Sequence, residues 1–154
     1  MELIWRRGTL EDLELLARTR AEVLRAANRL PADMDLSAQT ETARAYYRRA
    51  LADGSHTAYL VLDGGAVAGA GGVSFFQVMP TYHKPTGRRA YIMNMYTHPD
   101  YRRRGIARRT LELLVAEARA RGADWITLEA TDMGRPLYEA FGFRQLPGEM
   151  YLPQ

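Results

Sequence analysis

The stretch from Ala90 to Arg121 constrains the fold more than any other part of the chain. Ala90–Thr97 is apolar on both alternating faces, with Tyr91, Met93 and Met95 on one side and Ile92 and Tyr96 on the other. That pattern fits a central strand covered on both sides. A short arginine-rich turn follows, and Gly105–Arg121 then sets Ala107, Leu111, Leu114, Val115 and Ala118 on one helical stripe, with Gly122 as its stop. A strand buried on both faces needs helices above and below its sheet, so the chain is expected to be α/β or α+β.

The rest of the chain supplies the remaining layers. Glu2–Arg7 reads as a short strand. Thr9-Leu10-Glu11-Asp12 offers a capping-box-like start to a helix whose apolar stripe is Leu10, Leu13, Ala17, Ala21 and Leu24. Leu30-Pro31-Ala32-Asp33 breaks it, and a second helix is expected over about 36–52, closed by Gly54. Thr57–Leu62 and Ala66–Val78 are strands around the Asp63-Gly64-Gly65 turn, and Pro80–Arg89 is a loop. Trp125–Ala130 is a further strand, Asp132–Phe141 a short helix with Pro136 in its first turn, and Phe143–Gln145 and Glu149–Leu152 two closing strands. There is no internal repeat and no linker. The 154 residues are therefore expected to form one domain.

Composition removes several classes of function. Without cysteine there is no disulfide, thiolate metal site or cysteine nucleophile, and three histidines alone make no metal-ligand pattern. The first residues hold no apolar segment long enough for a signal peptide, and the run from Ala66 to Phe76 is too short and glycine-rich to span a bilayer. A cytoplasmic protein with no membrane partner is the expectation. The net charge of +3 favours anionic partners without naming one, and all basic residues except Lys84 are arginine.

The chemistry is concentrated in Met95-Tyr96-Thr97-His98-Pro99-Asp100-Tyr101-Arg102-Arg103-Arg104-Gly105-Ile106-Ala107. The first amides of a helix have no intrahelical acceptor, and the helix end carries partial positive charge. Glycine and alanine in the first turn let an anion come close, and the flanking arginines add charge-assisted hydrogen bonds. The residues by themselves give a phosphate- or pyrophosphate-binding turn.

Arg102-x-x-Gly105-x-Ala107 resembles the pyrophosphate loop of the GCN5-related N-acetyltransferase (GNAT) superfamily, Gln/Arg-x-x-Gly-x-Gly/Ala. Downstream, Leu137-Tyr138-Glu139-Ala140-Phe141-Gly142-Phe143 is similar to that family's Leu-Tyr-x-x-x-Gly-Phe signature, and the order of elements also agrees. The resemblance implies a twisted, mixed, mostly antiparallel sheet with helices on both faces and a splay between the fourth and fifth strands. It implies acetyl-CoA as co-substrate and no metal. Backbone at Met95, Tyr96 and Thr97 would meet the pantetheine arm, and Arg102, Arg103, Arg104, Gly105, Ile106 and Ala107 would hold the pyrophosphate. Thr131 and Arg135 lie where relatives touch the pantetheine or phosphates, although relatives commonly have Asn in place of Thr131.

The activity implied is acyl transfer to a primary amine, whose pKa near 10 calls for removal of a proton near neutral pH. Tyr138 is the expected proton donor to the leaving thiolate. The base stays open. Relatives place a glutamate on the fourth strand where this chain offers Asn94, so Glu129 on the fifth strand is the next candidate, ahead of Asp33, Asp35, His83 and His98. Asp33 and Asp35 also suggest an attraction for a cationic amine. The acceptor is a small-molecule or peptide amine, and a homodimer is expected because relatives are often dimers. Two rival readings stand beside this one: a non-catalytic acyl-CoA sensor of the same fold, and a nucleic-acid-binding module built on the arginines. The second lacks any recognised nucleic-acid motif, so no nucleic-acid partner is expected.

Overall fold

The computed structural model describes residues 2–154. In chain order the elements are β1 (Ile4–Arg7), α1 (Leu13–Asn28), α2 (Ser37–Asp53), β2 (His56–Asp63), β3 (Ala66–Gln77), β4 (Arg88–Thr97), α3 (Ile106–Ala120), β5 (Trp125–Leu128) and α4 (Arg135–Phe141). The five strands lie in sequence order across one sheet. Every neighbouring pair is antiparallel except β4 and β5, which are parallel. A parallel neighbour needs a crossover, and α3 supplies it.

Helices cover both faces, as the strand pattern demands. Ala58 and Leu60 of β2 point to Leu16 of α1 and Tyr47 of α2. On the other face Val73, Ala90 and Ile92 meet Leu111, Leu114, Val115 and Ala118 of α3. Each fully buried leucine or isoleucine contributes roughly 1.5–3 kcal/mol. The Asp12 carboxylate accepts the Thr9 N–H at 2.9 Å, which fixes the approach to α1 as the capping pattern predicts.

Gly71 sets the depth at which α3 sits. A Cβ there would lie 2.5 Å from Thr110 Cγ2 and 3.0 Å from Met95 Sδ, so only a residue without a side chain lets α3 come this close to β3. Thr110 is fully buried, accepts the Trp5 indole N–H at 3.0 Å and donates to the Ile106 carbonyl.

Three expectations are corrected. The alternation along β4 does not run through to Thr97: Met95 packs against the α3 cluster together with Ile92, whereas Met93 faces α1 and α2. A bulge at Asn94 causes the change of face, described below. Phe143–Gln145 and Glu149–Leu152 form no ladder. The Phe143 ring packs instead on Tyr138 and Phe141, and Met150 is 92% exposed. Lastly, β5 stops at Leu128 and α4 starts at Arg135, because Thr131 builds the turn between them.

Candidate active site

The parallel pairing of β4 with β5 runs from Arg89↔Trp125 to Ile92↔Leu128 and stops there, while β4 continues to Thr97. Between these strands a gap opens from Met93 onward. On the opposite edge of β4, Gly72 pairs with Met93 and Ala70 with Tyr96, so Asn94 and Met95 together stand opposite Gly71 alone. This is a bulge of two residues against one. Asn94 sits at φ 61°, a left-handed conformation that Asn tolerates better than most residues. Asn94 and Met95 consequently have no ladder partner on either side, and their backbone groups are available at the start of the gap.

At the wide end of the gap lies the first turn of α3. The His98 N–H donates to the Ala68 carbonyl at 2.8 Å, and the Tyr101 hydroxyl donates to the Asp63 carboxylate at 2.6 Å, which ties the turn to β3 and the end of β2. Gly105 is left-handed at φ 75°, with nothing within 4 Å of the place a Cβ would take. Ile106 is buried beneath it, so the turn is held from below and open above. The amides of Ile106, Ala107 and Arg108 have no intrahelical acceptor, and the exposed Arg102, Arg103 and Arg104 surround them. Room, free amides and cationic side chains together fit a pyrophosphate.

A strand gap leading to an anion-binding helix start agrees with the comparisons. The model of the acetyltransferase (GNAT) family matches residues 22–143. The chain belongs to this family. A GCN5-related N-acetyltransferase from Ralstonia eutropha is 32% identical over 99% of each chain, with a TM-score of 0.85. A predicted acetyltransferase from Clostridium acetobutylicum, crystallised with acetyl-CoA, is 29% identical over 99% of this chain and 96% of that one, with a TM-score of 0.90. Glucosamine-6-phosphate N-acetyltransferase from Arabidopsis thaliana shares the fold at 13% identity, covering 99% of each chain with a TM-score of 0.72. No curated protein sequence matches.

Within this GNAT fold, Tyr138 lies on the α3 side of the sheet beside the gap. It is 8% exposed, packs in the α3 cluster and meets Phe143 edge-on at 6.1 Å between centroids. Burial raises its pKa, so the phenol is protonated throughout the neutral range. Tyr138 shares with Leu128, Ala130 and Arg135 the wall of a cavity of about 1400 Å³ that follows the open edge of β5. Glu129 follows β5 by one residue and lines the same cavity as Tyr91, whose pKa is raised by burial first and by the Glu129 charge next. Thr131 takes a local role: its carbonyl accepts the Gly134 and Arg135 N–H groups and its hydroxyl accepts the Gly134 N–H at 3.2 Å.

A second cavity, of about 610 Å³, lies between α1, α2 and the sheet and touches the bulge through Met93 and Asn94. Asn94 is 7% exposed and its amide is committed at both ends: Oδ1 accepts from Arg20 Nη1 at 3.2 Å, and Nδ2 donates to the Tyr47 hydroxyl at 3.3 Å. Its place here is positional. An amide is no base, and this one also holds a guanidinium in the cavity wall. Burial, partly countered by Arg20, pushes the Tyr47 hydroxyl up to about 12.

Arg20, Tyr47 and His56 were not singled out by the sequence. For Arg20 a signal existed: it falls four residues after Leu16 and four before Leu24, on a stripe that is otherwise apolar. His56 is the first residue of β2 and 4% exposed. Its Nδ1 is 2.9 Å from the Tyr46 hydroxyl and 3.2 Å from Ser74 Oγ, and Nε2 is buried against Gly72 without a partner among the described residues. Burial, reinforced by Arg20, pushes its pKa down to about 4. Asp33 and Asp35 do not line this cavity, and Asp35 Oδ1 accepts the Ser37 N–H at 2.9 Å at the start of α2.

Proposed function

We propose that the protein transfers an acetyl group from acetyl-CoA directly to a primary amine. The observation that carries this reading is the β4–β5 gap, which begins at the Asn94 bulge and ends on the open first turn of α3. The co-substrate supplies an activated thioester. The chain does the rest. Arg102–Ala107 hold the pyrophosphate through amides and guanidinium groups, and the backbone of Met95, Tyr96 and Thr97, which has no partner on the β5 side, receives the pantetheine arm. The amide of Met95 is the donor available to a developing oxyanion.

Glu129 accepts the proton of the acceptor amine, directly or through water. Tyr138, kept protonated by burial, gives a proton to the departing sulfur. No cysteine is present for an acyl-enzyme, and in this reading the acyl group passes directly between the two bound substrates through a tetrahedral oxyanion. The whole chain serves as one acyltransferase domain, and no helix among the described residues is long and apolar enough to cross a membrane, which suits a cytosolic pool of acetyl-CoA.

Calorimetric titration with acetyl-CoA tests the reading, beside the Arg102→Ala/Gly105→Glu protein. Glutamate at 105 would place a β-carbon residue at positive φ and an anion where the pyrophosphate belongs. Micromolar binding lost in the double variant supports the assignment. Equal binding by both proteins, or none by the wild type, overturns it.

A further inference from the structure

Resting on that reading, the 610 Å³ cavity identifies the class of acceptor. We infer that it takes a small amine that also bears a carboxylate, in kind an amino acid with an apolar side chain, and that Arg20 binds the carboxylate. Among the described residues lining this cavity, Arg20 is the one charged side chain, and no Asp or Glu is present. It is half-buried, and among the described residues it forms no ion pair: its hydrogen bond goes to the neutral amide of Asn94 through Nη1. Nη2 and Nε remain for a carboxylate, which matches a guanidinium edge in shape and charge.

Three further observations agree. Within the cavity the positive charge of Arg20 acts on both Tyr47 and His56, whose rings share its wall. His56 stays neutral and adds no second cation. One guanidinium matches a monovalent carboxylate; a doubly charged phosphate would call for more. The wall otherwise offers Leu24, Ala43, Tyr46, Tyr47 and Met93, which suit an apolar side chain.

Polarity also follows a direction. Tyr91 lines the first cavity together with Glu129, and its hydroxyl feels both the Glu129 carboxylate and, more weakly, the Arg20 guanidinium. The inferred pose sets the carboxylate of an amino acid on Arg20 and directs its amine toward Glu129. A polycationic acceptor would bring positive charge against Arg20 with no carboxylate in the cavity to offset it.

The experiment sets the twenty common amino acids against their carboxamides, spermidine and kanamycin. It reads thiol release from acetyl-CoA, and thermal stabilisation by each compound in the presence of CoA. Arg20→Met and Arg20→Lys proteins are run alongside. The expected result is turnover of one or more apolar amino acids, with the matching amide at least roughly tenfold poorer in kcat/KM, the scale of one charged hydrogen-bonded contact. Arg20→Met should remove that discrimination through KM, and Arg20→Lys should restore part of it. Should amino acids stabilise the wild type but not Arg20→Met, with no thiol released from any compound, the carboxylate site stands and the proposed reaction falls. Amides or polyamines used as well as amino acids, discrimination unchanged in Arg20→Met, or neither binding nor turnover of any amino acid overturns the inference.

Discussion

His56 offers the sharpest test of the electrostatics around the second cavity. In the unfolded chain a histidine titrates near 6.5, and in the folded protein burial and Arg20 push His56 down to about 4. The unfolded state therefore binds the proton more readily, and stability contributed by the neutral ring is complete above about 6.5 and lost as pH falls toward 4. Between about pH 7.5 and pH 5 the difference in proton binding amounts to about 2 kcal/mol, from about 1.4 kcal/mol per unit of pH over most of that interval. Glu14, Asp35, Asp53, Glu117 and Asp124, all with folded pKa values below their ordinary ones, also lose stability as pH falls, but ordinary carboxylates titrate mostly below this window, so most of their loss comes at lower pH.

Urea unfolding at the two pH values reads the effect directly. For a urea dependence of about 2 kcal/mol per molar, the midpoint should fall by about 1 M between about pH 7.5 and pH 5. His56→Gln keeps a polar side chain beside Tyr46 and Ser74 but cannot titrate, so its midpoint should be nearly level over the same interval. The variant will be less stable at neutral pH, and only its pH dependence matters. If wild type and His56→Gln lose stability in parallel, His56 is not the group responsible, and the account of a neutral ring held beside Arg20 is wrong.

Other outcomes follow from single contacts. Gly71→Val should cost about 1–3 kcal/mol by overpacking against Thr110, Met95 and Leu114, visible as a lower thermal midpoint; an unchanged midpoint would mean α3 can back away freely. Asn94→Gly should keep the bulge and acetyl-CoA affinity while weakening discrimination among acceptors through the lost Arg20 tether, whereas Asn94→Val, a β-branched residue at φ 61°, should lose about 1–3 kcal/mol of stability as well; equal melting temperatures would refute the strain argument. Tyr138→Phe should lower kcat by roughly 10²-fold or more with acetyl-CoA binding by calorimetry unchanged, and an unchanged kcat would remove Tyr138 from the chemistry.

Most of the scaffold was readable from periodicity because its elements repeat their burial over many residues. Leu111, Leu114, Val115 and Ala118 announce α3, and the gap-to-helix turn is local enough for Arg102-x-x-Gly105-x-Ala107 to carry it. The closing strands were misjudged for a different reason. Apolar residues at 143 and 150–152 satisfy a strand pattern, but a strand exists only where a partner edge is met, and Phe143 finds its partners on α4 instead.

The acceptor side was hard to read because it depends on one inserted residue. Without the bulge, Met93 and Met95 would share a face, and a strict two-residue period would carry the pattern unbroken to Thr97. The left-handed turn at Asn94 sends Met95 to the α3 side and leaves Met93 and the Asn94 amide on the α1–α2 side, where Arg20 meets it across 74 residues of sequence. The same bulge leaves Met95 without a ladder partner beside the gap. One local departure from β geometry therefore does two things: it exposes the backbone expected to receive the acyl donor, and it turns a polar anchor toward the second cavity. The second depends on Asn94 being paired with an arginine on α1, and the inferred amino-acid acceptor rests on that pairing.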